Sequence, residues 1–247
     1  MTLINNIDLF GIKLKNISYT EILNSIQQSI QNRKQLKICY VNVNSINYSI
    51  LNNNVKNLYP NFDIVHTDGL GVFLGTKILY GKRGLSYRLS GSDLYEKLIN
   101  ICKINNYKII FFGDRTETLN QIMIKHPQLN VVGTQNGFEF DSTSVISYIN
   151  QNDPDILIVG LGTPKQEEWI VQNKKELKMS VIISVGDGIK VFSGTKKRGP
   201  KFLQIIGLEW LVRLFFEPKR LWKRYFIGIP LFIFRIIKYK FMNTKTG

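Results

Sequence analysis

An α/β fold built on a mostly parallel sheet is what this sequence predicts, and three observations predict it. Short apolar runs alternate with longer segments of helical period up to about residue 190, which is the pattern of βα units. Most of those runs end in loops carrying Gly, Asp or Thr, as strands do where they open onto a ligand crevice. Beyond Gly194 the texture changes to short helical stretches dense in Arg, Lys, Trp and Phe. The expected architecture is a Rossmann-like sheet with flanking helices over residues 1–195, followed by a basic, helical, membrane-binding appendage over residues 196–247.

Taken in chain order, the first strand is expected at 37–43 and runs into VNVNS; the second, at 62–66, runs into HTDGLG. A helix follows at 92–103. The strand at 108–112 enters FGDRTET, where Thr116 is placed to cap a helix reaching Lys125. Strands at 130–133, 155–159 and 181–185 complete the sheet, the last two leading into VGLGTPKQE and SVGDG. Ligands of open α/β sheets bind outside the carboxyl ends of the strands, so these loops should converge on one site. The final segment is read as two or three short helices punctuated by Pro200, Pro218 and Pro230.

Composition narrows the class. A chain of 247 residues with 44% hydrophobic and 21% charged content is neither disordered nor a polytopic membrane protein. The net charge of +15 asks for an anionic partner, and +11 of it lies in the last 52 residues, where 13 Lys and Arg face only Glu209 and Glu217. Cys39 and Cys102 have no metal or redox spacing and read as buried thiols of a reducing compartment. The N-terminal residues lack the n-region, h-region and cleavage site of an export signal, so a cytoplasmic location is expected. From Tyr225 to Ile237 an apolar run is broken by Pro230 and Arg235, too short to span a bilayer. It reads as an in-plane membrane segment, with a core helix or subunit interface as the alternative. That run favours an anionic membrane surface over nucleic acid as the partner of the basic tail, and a homo-oligomer is compatible with it.

Several residues carry candidate chemistry. Asp68, just past a strand and before a glycine turn, is placed either to take a proton from an acceptor hydroxyl or to cap the next helix. In VGLGTPKQEEW, Gly160 and Gly162 let a phosphate approach the backbone at a helix N-terminus, with Pro164 suited to the first helical position. Gln166 stands at capping-box spacing from Thr163, so its side chain either faces ligand or folds back onto the cap. Gly113 opens a loop that either cradles nucleotide or is no more than a tight βα turn. The Asp-x-Asp of NDPD precedes a strand, the wrong edge for a catalytic metal. Arg213, Arg220 and Arg224 recur at helical spacing and would share a face suited to a diphosphate. His66 and His126 read as structural.

Together TDGLGV, YRLSGSDL, PDILIVGLGTPKQEEWI, the SVG of residues 184–186, SGTKKRGP and GLEWLVRLFFEPKRLWKRY resemble the WecG/TagA/CpsF family of glycosyltransferases, from about Ile38 to about Tyr225. The resemblance implies an inverting, metal-independent enzyme without a cofactor, at the cytoplasmic face of the bacterial membrane. It would move a sugar, such as an N-acetylmannosamine derivative, from a UDP-sugar to a polyprenyl-diphosphate-linked acceptor in cell-surface polysaccharide or teichoic acid synthesis. By position it implies Asp68 as general base, Gln166 at the sugar or departing phosphate, and Arg88 in the same crevice. Asn42, Asn44, Gly113, Gly162 and Gly186 would bind substrate, and Arg213, Arg220 and Arg224 would close over diphosphate. Two positions depart from the family pattern: Asn42-Val43-Asn44 stands where Thr-x-Asn is common, and Lys190 where Asp is common. The alternative class is a non-catalytic, nucleotide-binding peripheral membrane protein.

Overall fold

A computed structural model describes residues 6–196, 198–205 and 207–243. The chain opens with an antiparallel hairpin, β1 (Asn6–Leu9) and β2 (Ile12–Lys15), paired from Asn6↔Lys15 to Leu9↔Ile12. Phe10 and Gly11 both take positive φ at its turn, and Asp8 Oδ1 accepts the Gly11 N–H at 2.8 Å. Ile7, Leu9, Ile12 and Leu14 alternate inward. The sequence expectations contain no such hairpin.

A six-stranded, wholly parallel sheet follows, in the order β4-β3-β8-β7-β5-β6. Its strands are β3 (Leu36–Val41), β4 (Ile64–Thr67), β5 (Ile109–Gly113), β6 (Val131–Gln135), β7 (Ile156–Gly160) and β8 (Val181–Ser184). The helices threading them are α1 (Tyr19–Gln31), α2 (Val43–Leu51), α3 (Asn53–Lys56), α4 (Leu70–Tyr80), α5 (Gly91–Asn105), α6 (Thr116–Lys125), α7 (Ser142–Gln151), α8 (Lys165–Asn173) and α9 (Ile189–Ser193). The central strands are apolar on both faces because both faces are covered. Ile110, Phe112, Leu157 and Val159 point toward α2, α4, α7 and α8; Ile109, Phe111, Ile156 and Ile158 point toward α1, α5, α6 and α9.

Three local expectations change. Val43 begins α2 instead of ending a strand, because Asn42 caps that helix through Ser45. Arg115 is the N-cap of α6 and Thr116 its first residue. Pro164 lies one position before α8, joined to Thr163 by a cis peptide bond.

Among the described residues of the last segment there are five helical pieces, not two or three: α10 (Lys201–Ile205), α11 (Glu209–Phe216), α12 (Pro218–Trp222), a π-helical turn (Lys223–Ile227) and α13 (Gly228–Asn243). Pro230 does not break α13: the π-helical turn of Lys223–Ile227 runs straight into it, and such a widened turn accommodates the missing N–H. Of the two readings of 225–237, an in-plane membrane segment or a core helix, the second holds for one face of α13. Phe232 and Ile236 of α13, 2% and 0% exposed, enter the core beside α2, α4 and the hairpin. The Phe10 ring meets those of Phe232 and Tyr239 edge-on at 6.5 and 5.2 Å. Gly75 permits this approach: a Cβ there would stand 2.9 Å from Phe232 Cζ. Arg235 donates to Asn47 Oδ1 at 2.7 Å, and Asn47 Nδ2 donates to the Gly228 carbonyl at 2.7 Å. On its other side α13 leaves Ile233, Phe234 and Ile237 exposed. Among the described residues no helix is long and apolar enough to cross a membrane.

Candidate active site

The candidate site lies at the carboxyl edge of the sheet. Asp68 leaves β4 with its N–H donating to the Val41 carbonyl of β3 at 2.8 Å, and Gly69, at φ +91°, turns the chain so that its N–H reaches the Leu89 carbonyl at 2.8 Å. Asp68 Oδ1 accepts the Gly91 N–H at 2.8 Å. Gly91 opens α5, so one carboxylate oxygen is held at the positive end of a 15-residue helix, which leaves Oδ2 for the cavity that Asp68 lines. His66, two residues earlier in β4, is buried, and its Nδ1–H donates to the Thr67 carbonyl. Burial lowers its pKa, so it stays a neutral structural residue.

Beneath the neighbouring loops lies a buried polar knot. Gln166 Oε1 accepts the Gly186 N–H at 2.8 Å, and Gln166 Nε2 donates to Glu167 Oε1 at 2.7 Å. Thr163 and Ser184 hydroxyls approach the same Glu167 oxygen at 3.4 and 3.5 Å. Burial raises the Glu167 carboxyl to about 7, more than the hydrogen bonds from Gln166, Thr163 and Ser184 pull it down. Gln166 therefore folds onto the 184–186 loop, neither capping α8 nor lining the cavity. Gly186 itself sits at φ +51°, where a Cβ would stand 2.5 Å from the Tyr40 hydroxyl.

The C-terminal helices bring cations over this edge. Arg88 Nη2 donates to the Gln204 carbonyl at 2.6 Å, and Lys196 Nζ donates to Ser92 Oγ at 2.9 Å. Burial, and then Arg213, lower the Lys196 pKa. Arg213 bonds Asp187 at 2.8 Å, Lys190 reaches the same carboxylate at 3.1 Å, and Arg220 lies 3.7 Å from it. Burial alone would raise Asp187, but Lys190, Arg213, Arg220 and Lys196 together hold it below the usual carboxylate range. Arg198 clamps α5 to the tail, reaching Asp93 and Glu96 at 2.6 Å each and Glu209 at 3.5 Å.

Core and tail together enclose a cavity of about 420 Å³. Asn42, Asp68, Arg88, Lys196, Arg213 and Arg224 line it, so the structure brings five of the sequence-derived positions to one place. Arg220 is not among them: Pro218 starts a new helix, and Arg220 turns to Glu217 and Asp187 instead of sharing a face with Arg213 and Arg224. Asn44 is exposed on α2, outside the cavity. Gly113 and Gly162 stand farther along the same carboxyl edge. At Gly113 a Cβ would meet the Gly160 backbone at 2.5 Å, while the space over Gly162 is open. The NDPD turn lies at the opposite edge, where Asp155 accepts the Lys108 N–H at 2.8 Å.

Lys196, Arg198, Glu167 and Asp187 were not singled out from sequence. Arg198 had a readable counterpart in Asp93 and Glu96, three apart on one helical face. Glu167 had none, since an acid in a KQEE run reads as solvated.

The family model described as "Glycosyl transferase WecG/TagA/CpsF family" matches residues 7–246. The N-acetylglucosaminyldiphosphoundecaprenol N-acetyl-beta-D-mannosaminyltransferase of Staphylococcus aureus strain NCTC 8325 / PS 47 is 25% identical over 240 residues, covering 95% of this chain and 93% of the relative. The protein of the same name from strain MRSA252 matches with the same identity and coverage.

Proposed function

Because the chain belongs to the WecG/TagA/CpsF family of glycosyltransferases, we propose that it transfers a sugar, of the N-acetylmannosamine type or another hexose, from a UDP-sugar to an undecaprenyl-diphosphate-linked sugar. The observation that carries this reading is Asp68, set at a sheet's carboxyl edge in a cavity whose other charged lining is mostly cationic. The relatives' printed name supplies the acceptor class.

In this reading Asp68 Oδ2 takes the proton from an acceptor hydroxyl as that oxygen attacks the donor's anomeric carbon. The bond from that carbon to the diphosphate breaks on the opposite face, giving inversion. The donor lies along the loops after β5, β7 and β8, with backbone close to phosphate at Gly162, where the space is open. Arg213, Arg224 and Lys196 offset diphosphate charge, and Arg88 steadies the tail above it. Gln166 acts as a positioning residue, fixing the Gly186 N–H. No metal is given a role, since the Asp-x-Asp pair lies at the far edge. The basic tail and the exposed apolar side of α13 hold the protein peripherally at the cytoplasmic face of an anionic membrane.

The test is transfer to a synthetic N-acetylglucosaminyl-diphosphoryl lipid from a panel of UDP-sugars, with products identified by mass. Asp68→Asn is expected to lower kcat by about 10² to 10⁴ while UDP binding persists. Turnover near the unsubstituted rate would remove Asp68 from the base role.

A further inference from the structure

Resting on that reading, we propose that the furrow between α4 and α13 holds the first isoprenoid units of the acceptor, whose sugar lies at Asp68.

The cavity changes chemistry along its length. Leu70 follows Asp68 by two residues, and Leu74 and Ile78 come one and two turns later on the same face of α4, about 6 and 12 Å farther along the axis. Ile229 and Ile233 of α13 form the facing wall. Leu74, Ile78 and Ile233 are 45%, 44% and 45% exposed, so the walls are aliphatic yet open to whatever enters.

The furrow has a built floor. Gly71 and Gly75 carry no side chains into it, and α13 comes so near that a Cβ on Gly75 would stand 2.9 Å from the Phe232 ring and 3.1 Å from Ile236. Those two buried side chains seal the furrow from the protein core. A chain lying there touches Leu74, Ile78 and Ile233 without parting the two helices.

Charge gives the occupant its direction. Arg213 and Lys196 lie near enough to Asp68 for its charge to act on theirs, and the α4 and α13 side chains along the furrow carry no charge. The cavity therefore joins a charged end, with the carboxylate and cations, to aliphatic walls free of charge. That arrangement suits a sugar-diphosphate head carrying one prenyl chain; a phospholipid has the same polarity, and an assay without vesicles separates the two.

Two acceptors sharing one sugar-diphosphate head test this, one carrying a short prenyl chain below its aggregation concentration, the other a methyl group. Both are assayed without vesicles or detergent, so membrane attachment plays no part. The unsubstituted protein is expected to favour the prenyl acceptor in kcat/KM by about tenfold or more, the effect of burying a few methylene groups. Leu74→Asn with Ile78→Asn on α4, and separately Ile233→Trp to fill the furrow, should each bring that preference close to one. Because these side chains are surface-exposed, unchanged melting temperatures are expected to accompany the loss. A preference kept by both variants, or absent in the unsubstituted protein, overturns the proposal and leaves the furrow to bilayer chains. Transfer to neither acceptor sinks the glycosyl-transfer reading itself, which is a distinct result.

Discussion

Glu167 shows how a single side chain can couple loop geometry to pH. Its carboxyl is buried, with Oε1 serving Gln166, Thr163 and Ser184 and Oε2 without a partner among the described residues. With a folded pKa near 7 and an ordinary unfolded value, the folded protein holds this proton more tightly. Its contribution to stability is therefore full below the unfolded value and is lost as pH rises through about 7. Glu167→Gln keeps an acceptor for Gln166 and removes the titration. Urea unfolding across pH 4 to 8.5 should show the variant gaining on the unsubstituted protein by on the order of 2 kcal/mol between the ends of that range. Parallel curves would mean that Glu167 is ionised throughout. This residue was illegible in the sequence for a physical reason. Its burial depends on the meeting of β7, β8 and α8, and nothing local in KQEE records that meeting. Asp68 was legible, because a strand end followed by a glycine turn is a local signal and parallel sheets put such ends on one edge.

Among the elements, α13 departs furthest from expectation. A run of Phe and Ile with scattered Lys and Arg reads as lipid-seeking, because a sequence shows how apolar a helix is but not which side meets protein. The structure divides it: Phe232 and Ile236 inward, Phe234 and its neighbours outward. Phe232→Ala should cost about 3 to 5 kcal/mol of folding stability, the range for emptying a buried aromatic site. Phe234→Ala, at a residue 62% exposed, should stay within about 0.5 kcal/mol yet weaken vesicle binding in flotation. Equal stability losses from the two would contradict the seating of α13. Cutting the chain before α13 is thus expected to damage the core as well as detach the protein from membranes. The N-terminal hairpin escaped notice for a different reason: its turn is Phe-Gly, without the Asn or Asp that usually announces paired positive φ angles.

At the scale of the molecule, charge and apolar surface sit together. The tail holds +11 of the net +15, and its helices also carry the exposed Phe215, Phe226 and Phe234. Attraction to anionic lipid should supply the first contact and be screened by salt, while inserted aromatics persist. Cosedimentation with anionic vesicles is expected to fall as salt rises from about 50 to 500 mM without vanishing. Binding to neutral vesicles should be weak throughout. Complete loss at high salt would leave the exposed aromatics without a role at the membrane. The sheet and its parallel sense were readable from alternation alone. The way the tail completes the cavity was not, since Arg198, Asp187 and Gly75 act through partners distant in sequence.

The cavity wall that α11 and α13 complete has one more consequence, and it concerns water. A carboxylate ready to strip a proton from a sugar hydroxyl is equally ready to strip one from a water molecule, and an activated donor accepts either nucleophile. In the proposed reaction Trp210, Tyr225 and Ile229, which line the cavity, would narrow the approach of that competitor to the place of the acceptor's hydroxyl. On that reading the tail would guard fidelity, setting the share of the donor's sugar transferred against the share lost as free hexose.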